Sequence, residues 1–173
     1  MKIRKATKQD ASGIAKVHVD SWKTTYKAIL PNEFLSSLSY EKRTTLWKNN
    51  LDDKTNYIVV SETDDGLITG FGTASKRPTN MVANCGDLTS IYLLEDYHGQ
   101  GIGKLLMKEL FLHFKKLNYE TVFVEVLEDN KTRFFYEYYG AKLIQTEQLK
   151  FAENIVNELI YEWGNIDEVL KKL

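Results

Sequence analysis

Apolar positions along this chain switch between a period near two and a period near 3.6, the mark of strands alternating with helices. A short strand is expected around Ile3 to Lys5, followed by Thr7-Lys8-Gln9-Asp10, where a threonine with an acid three residues later suits a helix start. Ile14, Val17, Ser21 and Trp22 then fall on one helical face. Pro31-Asn32 interrupts the pattern; Phe34, Leu35 and Leu38 predict a short helix, and Leu46 and Trp47 a further one beginning near Ser39. Tyr57 to Glu62 and Leu67 to Ser75 read as two strands around the turn sequence Asp64-Asp65-Gly66, with Gly70 and Gly72 weakening the second. A strand from Asp87 to Leu94 leads into a glycine-rich turn and a helix carrying Ile102, Leu105, Leu106, Leu110 and Phe114. Thr121 to Leu127 is a further strand, Lys131 to Tyr139 a helix ended by Gly140, and Lys142 to Leu149 with Ile155 to Trp163 a closing strand pair. The expectation is a mixed α/β fold.

Composition narrows the class. The 173 residues are 43% hydrophobic, enough for one substantial core and short for two, and no repeat or Pro/Gly/Ser-rich linker divides them. The 23 basic and 24 acidic residues nearly cancel, so no broad field argues for nucleic acid or an anionic membrane as partner. A small-molecule or peptide partner fits better. The first ten residues carry charge with no apolar stretch after them, and apolar runs elsewhere fall well short of the ~18 residues of a span. A cytoplasmic protein is expected. The lone Cys85 makes no internal disulfide, and no Cys/His group has zinc-like spacing, so no metal is expected.

The segment Tyr97-His98-Gly99-Gln100-Gly101-Ile102-Gly103-Lys104 lies between a strand and a helix. First-turn N–H groups of a helix lack intrahelical partners and sit at the positive end of its dipole, so such a loop is a ready anion site. Missing side chains let a phosphate come close. A dinucleotide fingerprint fits poorly because Gly103 arrives one residue early, and a nucleotide P-loop fails because His98 and Leu105 stand where it needs glycine and a hydroxyl.

Preceded by Ser90-Ile91-Tyr92-Leu93, the loop resembles the acetyl-CoA pyrophosphate motif of the GNAT superfamily of N-acetyltransferases, with His98, Gly101 and Gly103 at its marked positions. His98 stands where relatives more often carry Gln or Arg. A second stretch, Val126 to Asn130 and then Phe135-Tyr136-Glu137 and Gly140, is similar to the family's other conserved segment. The resemblance implies a single N-acetyltransferase domain over residues 1–173, with a mixed central sheet of about six to seven strands flanked by helices. It implies acetyl-CoA as donor, held by Ile91, Tyr92, Leu93, the loop from His98 to Lys104 (Gly99, Gln100, Gly101, Ile102 and Gly103 included), Asn130 and Tyr136. The shorter interval from Asn130 to Tyr136 leaves Asp129 open as the counterpart of the family's Asn, and the usual Gly-Phe after the helix is Gly140-Ala141. Homodimers are common in the family, so a second copy stands among the expected partners.

By the same resemblance, Tyr136 gives a proton or hydrogen bond to the departing thiolate, the N–H of Leu93 stabilises the thioester oxygen, and Asp87 is the candidate base, acting through water. A base is needed because an amine of pKa about 10.4 is mostly ammonium at neutral pH. His18 is a second candidate, although a histidine on an apolar helix face is more often packed. Trp22 and Tyr26, with Trp47, are candidates to line the acceptor cleft, each equally at home in the core. The function expected is direct acetyl transfer to a primary amine in a ternary complex. The alternative is a noncatalytic acyl-CoA sensor of the same fold, whose sign would be an intact loop without the Asn and Tyr.

Overall fold

The structure, a computed structural model, describes residues 1–151 and 154–173. Seven strands join one sheet in the order β1-β2-β3-β4-β5-β7-β6. They are β1 (Lys2–Lys5), β2 (Tyr57–Glu62), β3 (Ile68–Ser75), β4 (Cys85–Leu93), β5 (Thr121–Leu127), β6 (Lys142–Phe151) and β7 (Asn154–Trp163). Neighbours are antiparallel except β4 and β5, whose parallel pairing follows from the crossover through α4 (Ile102–Lys116). The last strand in the chain, β7, sits inside β6, an inversion that no local pattern announces.

Helices cover both faces. On one, α4 sets Leu106, Met107, Leu110, Phe111 and Phe114 against Val122, Val124 and Val126 of β5 and Leu159, Tyr161 and Trp163 of β7. Full burial of a leucine of this kind contributes roughly 1.5–3 kcal/mol. At Gly72 of β3 the helix comes close, because a Cβ there would lie 2.9 Å from Leu110 Cδ1 and Leu110 would have to shift. On the other face, α1 (Ala11–Thr25) and α3 (Tyr40–Asp52) pack Ile14, Val17 and Trp47 on Ile58, Val60 and Phe71. The short α2 (Asn32–Ser36) adds Leu35 beside Tyr26 and Val19. α5 (Thr132–Tyr138) follows β5. The elements expected from periodicity are present, and one further helix, α6 (Ile166–Lys172), was not anticipated. Its signals were Asn165, which accepts from Glu168 N at 3.1 Å, and two apolar residues one turn apart, Ile166 and Val169. Among the described residues no helix is long and apolar enough to cross a membrane.

Thr7 opens a single 3-10 turn, Lys8–Asp10, ahead of α1, and its backbone N–H donates to Asp10 Oδ2 at 2.7 Å. Arg4 forks onto the same carboxylate with two bonds of 2.8 Å and onto Glu62 with two more. These Arg4 bonds, above all, hold the Asp10 carboxyl below its ordinary range. A carboxylate depressed in the folded state contributes stability above its unfolded pKa, and that contribution disappears as pH falls through the folded value. Asp10→Asn should therefore lower stability by about 1–3 kcal/mol at pH 7. Thermal melts should show the gap to the parent protein closing once pH drops below roughly 4.

Candidate active site

β4 and β5 pair only at Cys85↔Thr121, Gly86↔Val122 and Asp87↔Phe123. Beyond that point β4 stays with β3 as far as Gly70↔Leu93, while β5 stays with β7 as far as Leu127↔Glu158. The two strands therefore part. A bulge assists, because Thr73 faces Ser90 and Ala74 faces Leu88, which leaves Thr89 without a partner and bends β4.

Alternation along the β3–β4 ladder decides what the parted edge presents. Leu94 N–H donates to Thr69 O at 2.9 Å, so Gly70↔Leu93 and Gly72↔Ile91 are pairs that share no hydrogen bonds. The peptide groups of Leu93 and Ile91 consequently turn toward the gap. The Leu93 carbonyl accepts from Ser21 Oγ at 2.8 Å and, with the proton on Nε2, from His98 at 3.2 Å. The N–H groups of Ile91 and Leu93 remain as donors for a ligand.

A cavity of about 420 Å³ fills the gap. Its walls include the expected Ile91, Tyr92, Leu93, His98, Gly99, Gly101, Ile102, Gly103, Lys104, Asn130, Tyr136 and Tyr26. At one end stands the glycine loop. Gly99 and Gly101 have φ of 73° and 77°, a region that L side chains rarely adopt, and a Cβ on either would project into open space. The first intrahelical bond of α4 reaches Leu105 N, leaving the N–H groups of Ile102, Gly103 and Lys104 without helical partners. Open space lined by donors and the Lys104 ammonium fits the phosphates of coenzyme A. Gln100 is the exception in the loop: its amide turns back to donate to Asp96 O at 3.0 Å, and it is absent from the cavity wall.

Two side-chain bridges span the parted strands. Where they separate, Asp87 is fully buried and accepts from Arg77 N (2.8 Å), Nε (3.0 Å) and Nη2 (2.7 Å) and from Asn80 Nδ2 (3.0 Å). Arg77 Nη1 completes the bridge to Glu125 of β5. This corrects the expectation for Asp87. It lies outside the cavity with its oxygens saturated, and its role is to anchor Arg77. At the wider end, Asn130 Nδ2 donates to Tyr26 Oη at 3.2 Å, and Tyr26 Oη lies 3.3 Å from Tyr92 Oη. Asn130 Oδ1 accepts from Thr132 N at 2.9 Å and starts α5. Asn130 is buried on the cavity wall, whereas Asp129 is exposed and outside it.

Tyr136 is only 5% exposed, and its hydroxyl has no hydrogen-bond partner among the described residues. Burial, with the nearby Tyr26, pushes its pKa far above the ordinary phenol value. It stays a neutral donor across the neutral range. Trp22 stands behind Tyr26, with ring centroids 4.9 Å apart, and does not reach the cavity, which corrects its expected place at the acceptor. Trp47 is core and donates through Nε1 to His18 Nδ1 at 3.0 Å. Burial, with Arg43 adding, pushes His18 down to about 4, so it is neutral and packed.

Sequence reasoning missed Glu125, the only carboxylate on the cavity wall among the described residues, and Arg77, which orients it. The available signal was a charge set within Val122-Phe123-Val124-Glu125-Val126, where an all-apolar run was otherwise complete.

A sheet opened between two parallel strands, with an anion cradle at one end and donors along its edge, defines an acyltransferase that works on a coenzyme A thioester. The Acetyltransferase (GNAT) family model matches residues 19–141, and the chain belongs to that family. It is 30% identical over 164 residues to the uncharacterized N-acetyltransferase YuaI of Bacillus subtilis, covering 95% of this chain and 93% of that one. It is 27% identical over 156 residues to a spermidine N(1)-acetyltransferase of Thermoplasma acidophilum, covering 87% and 94%. The crystal structure of PaiA N-acetyltransferase from Thermoplasma acidophilum in complex with coenzyme A superposes with a TM-score of 0.70 at 25% identity, over 91% of this chain and 96% of that chain. The acetyl donor is acetyl-CoA.

Gly101→Val places a β-branched side chain at a positive φ and into the phosphate cradle. Isothermal calorimetry with acetyl-CoA should show affinity reduced by at least about a hundredfold, roughly 2.7 kcal/mol. Undiminished binding would remove the loop from the cofactor site.

Proposed function

We propose that this chain is a cytoplasmic N-acetyltransferase whose acceptor, a small-molecule or peptide primary amine, attacks acetyl-CoA directly in a ternary complex. The observation that carries the reading is one continuous cavity holding a phosphate cradle, a carboxylate and a neutral phenol. The similarity to an enzyme named for spermidine supports an amine as acceptor. Balanced charge supports a partner other than nucleic acid or membrane, and a homodimer is compatible with the reading.

Bound acetyl-CoA would supply an activated acetyl group, and the residues around it would supply placement and proton handling. The first turn of α4 and Lys104 hold the phosphates, while the N–H groups of Ile91 and Leu93 hold the arm and polarise the carbonyl. Glu125 replaces Asp87 as the group that takes the amine's proton, since its carboxylate stands on the cavity wall. Tyr136 Oη, neutral and without a partner among the described residues, is the proton donor for the leaving side. Asn130 and Tyr26 hold the two walls together around the arm. Direct attack is favoured over an acetylated cysteine, because Cys85 is buried with Sγ 3.1 Å from Val82 O and burial raises its pKa. The sensor alternative expected loss of the Asn and Tyr, and both line the cavity.

Thiol release from acetyl-CoA against a panel of amines tests the assignment. Glu125→Gln should lower kcat by about 10²–10⁴-fold, the usual worth of a general base, with acetyl-CoA affinity near that of the parent. Tyr136→Phe should likewise slow turnover more than binding. Asp87→Asn should lower stability by about 1–3 kcal/mol, since Arg77 keeps only Glu125 as an ionic partner, and should slow turnover less than Glu125→Gln does, through the loosened placement of Glu125. Full turnover in Glu125→Gln would end the case for that residue.

A further inference from the structure

The hydrogen bonds at Tyr26 Oη fix where its own proton can go. Asn130 Oδ1 accepts from the backbone N–H of Thr132 at 2.9 Å, so the other arm of that amide is its NH2 group, which can only donate. It donates to Tyr26 Oη at 3.2 Å. Tyr92 Oη lies 3.3 Å from the same oxygen. Burial raises the Tyr92 phenol above its ordinary range and the buried indole N–H of Trp22 works against that, so the Tyr92 oxygen already faces one donor. Its proton goes to the one acceptor within hydrogen-bond distance among the described residues, Tyr26 Oη. Tyr26 therefore accepts twice, and its own proton is left over on the cavity wall, with no acceptor among the described residues.

Tyr136 carries a second unspent phenol proton on the same wall. Burial, and then charge on Tyr26, raise the Tyr136 phenol, so the two groups sense each other. Charge on one disfavours charge on the other, and together they release one proton rather than two. What differs is the support for the oxygen left behind. Burial also raises the Tyr26 phenol, but the bonds from Tyr92 and Asn130 work against it, and no such bond does so at Tyr136. A negative charge is better held on Tyr26.

We propose that Tyr26 is a second catalytic acid, forming with Tyr136 a phenol couple that delivers one proton to the departing sulfur. This rests on the reading that Tyr136 faces the leaving side. As the amine nitrogen bonds to the acetyl carbon, the carbon–sulfur bond breaks and its electrons stay on sulfur, which takes the proton and leaves as a thiol. The resulting phenolate settles on Tyr26, where Tyr92 and Asn130 donate to it. Glu125 gives up the amine's proton to solvent, and solvent returns one to the phenolate. Either phenol serves when the other is missing.

Turnover at saturating acetyl-CoA would be measured for Tyr26→Phe, Tyr136→Phe, the double variant and Tyr92→Phe. Each of the first two should lose roughly tenfold in kcat, less than the roughly 10²–10⁴-fold of an unshared acid, and the double variant more than the product of the two losses. Tyr92→Phe loosens the wall but spares the Tyr26 proton, so it should lose less than Tyr26→Phe. Calorimetry supplies a readout apart from turnover, comparing coenzyme A with desulfo-coenzyme A at pH 9, above the ordinary thiol value of about 8.5. Phenol bonds to the thiolate should make coenzyme A the tighter ligand by about fivefold or more in the parent, and this preference should shrink in Tyr26→Phe. A double variant no worse than the product of the single losses, a Tyr92→Phe as slow as Tyr26→Phe, or a sulfur preference unchanged in Tyr26→Phe would overturn the inference and leave the acetyltransferase reading intact. Acetyl-CoA binding by the parent without thiol release from any amine would bring down both.

Discussion

After Asp87 and Phe123, β4 and β5 stop sharing hydrogen bonds, and backbone groups that a continuous sheet would consume are left over. Buried peptide groups without partners are costly, so a parted sheet persists only where something satisfies its edges. Here the carbonyl of Leu93 is satisfied by Ser21 and His98, while the N–H groups of Ile91 and Leu93 face the cavity. The ligand's route, the placement of α4 and the exposure of Glu125 all follow from that separation.

The separation is held to a fixed width. Arg77 ties Asp87 to Glu125 where the strands part, and Tyr26 ties Tyr92 to Asn130 farther along. Asp87 and Glu125 thus divide the work. One is buried and saturated, the other stands on the cavity wall, and the same guanidinium orients both. A carboxylate available for chemistry is placed by one that is not.

Much of this fold was legible in the sequence because its signals are local. Amphipathic periods gave α1, α3 and α4, and the glycines of the loop announced a backbone that only residues tolerant of positive φ adopt. The exchange of β6 and β7 was not legible, since strand order depends on contacts distant in sequence. Asp87 misled for a similar reason: its partner Arg77 comes from the irregular segment between β3 and β4, where no period reports what a side chain will meet. Glu125 needed the point at which β4 and β5 part before its place on the cavity wall could be recognised. Trp22 and Tyr26, four residues apart on one helix end, were equal as candidates, and only the fold separates the ring on the cavity wall from the ring behind it.

Tyr26 has a further consequence. Its hydroxyl contacts Tyr92 on one wall and Asn130 at the head of the other, while its ring belongs to the cluster formed by α1 and α2. In the ternary complex proposed above, an acceptor seated on the α1 side would act on the same hydroxyl that joins the two walls around the donor. The two substrates would then be energetically linked through one phenol. By thermodynamic reciprocity, whatever the acceptor does to the donor's affinity, the donor must do in equal measure to the acceptor's.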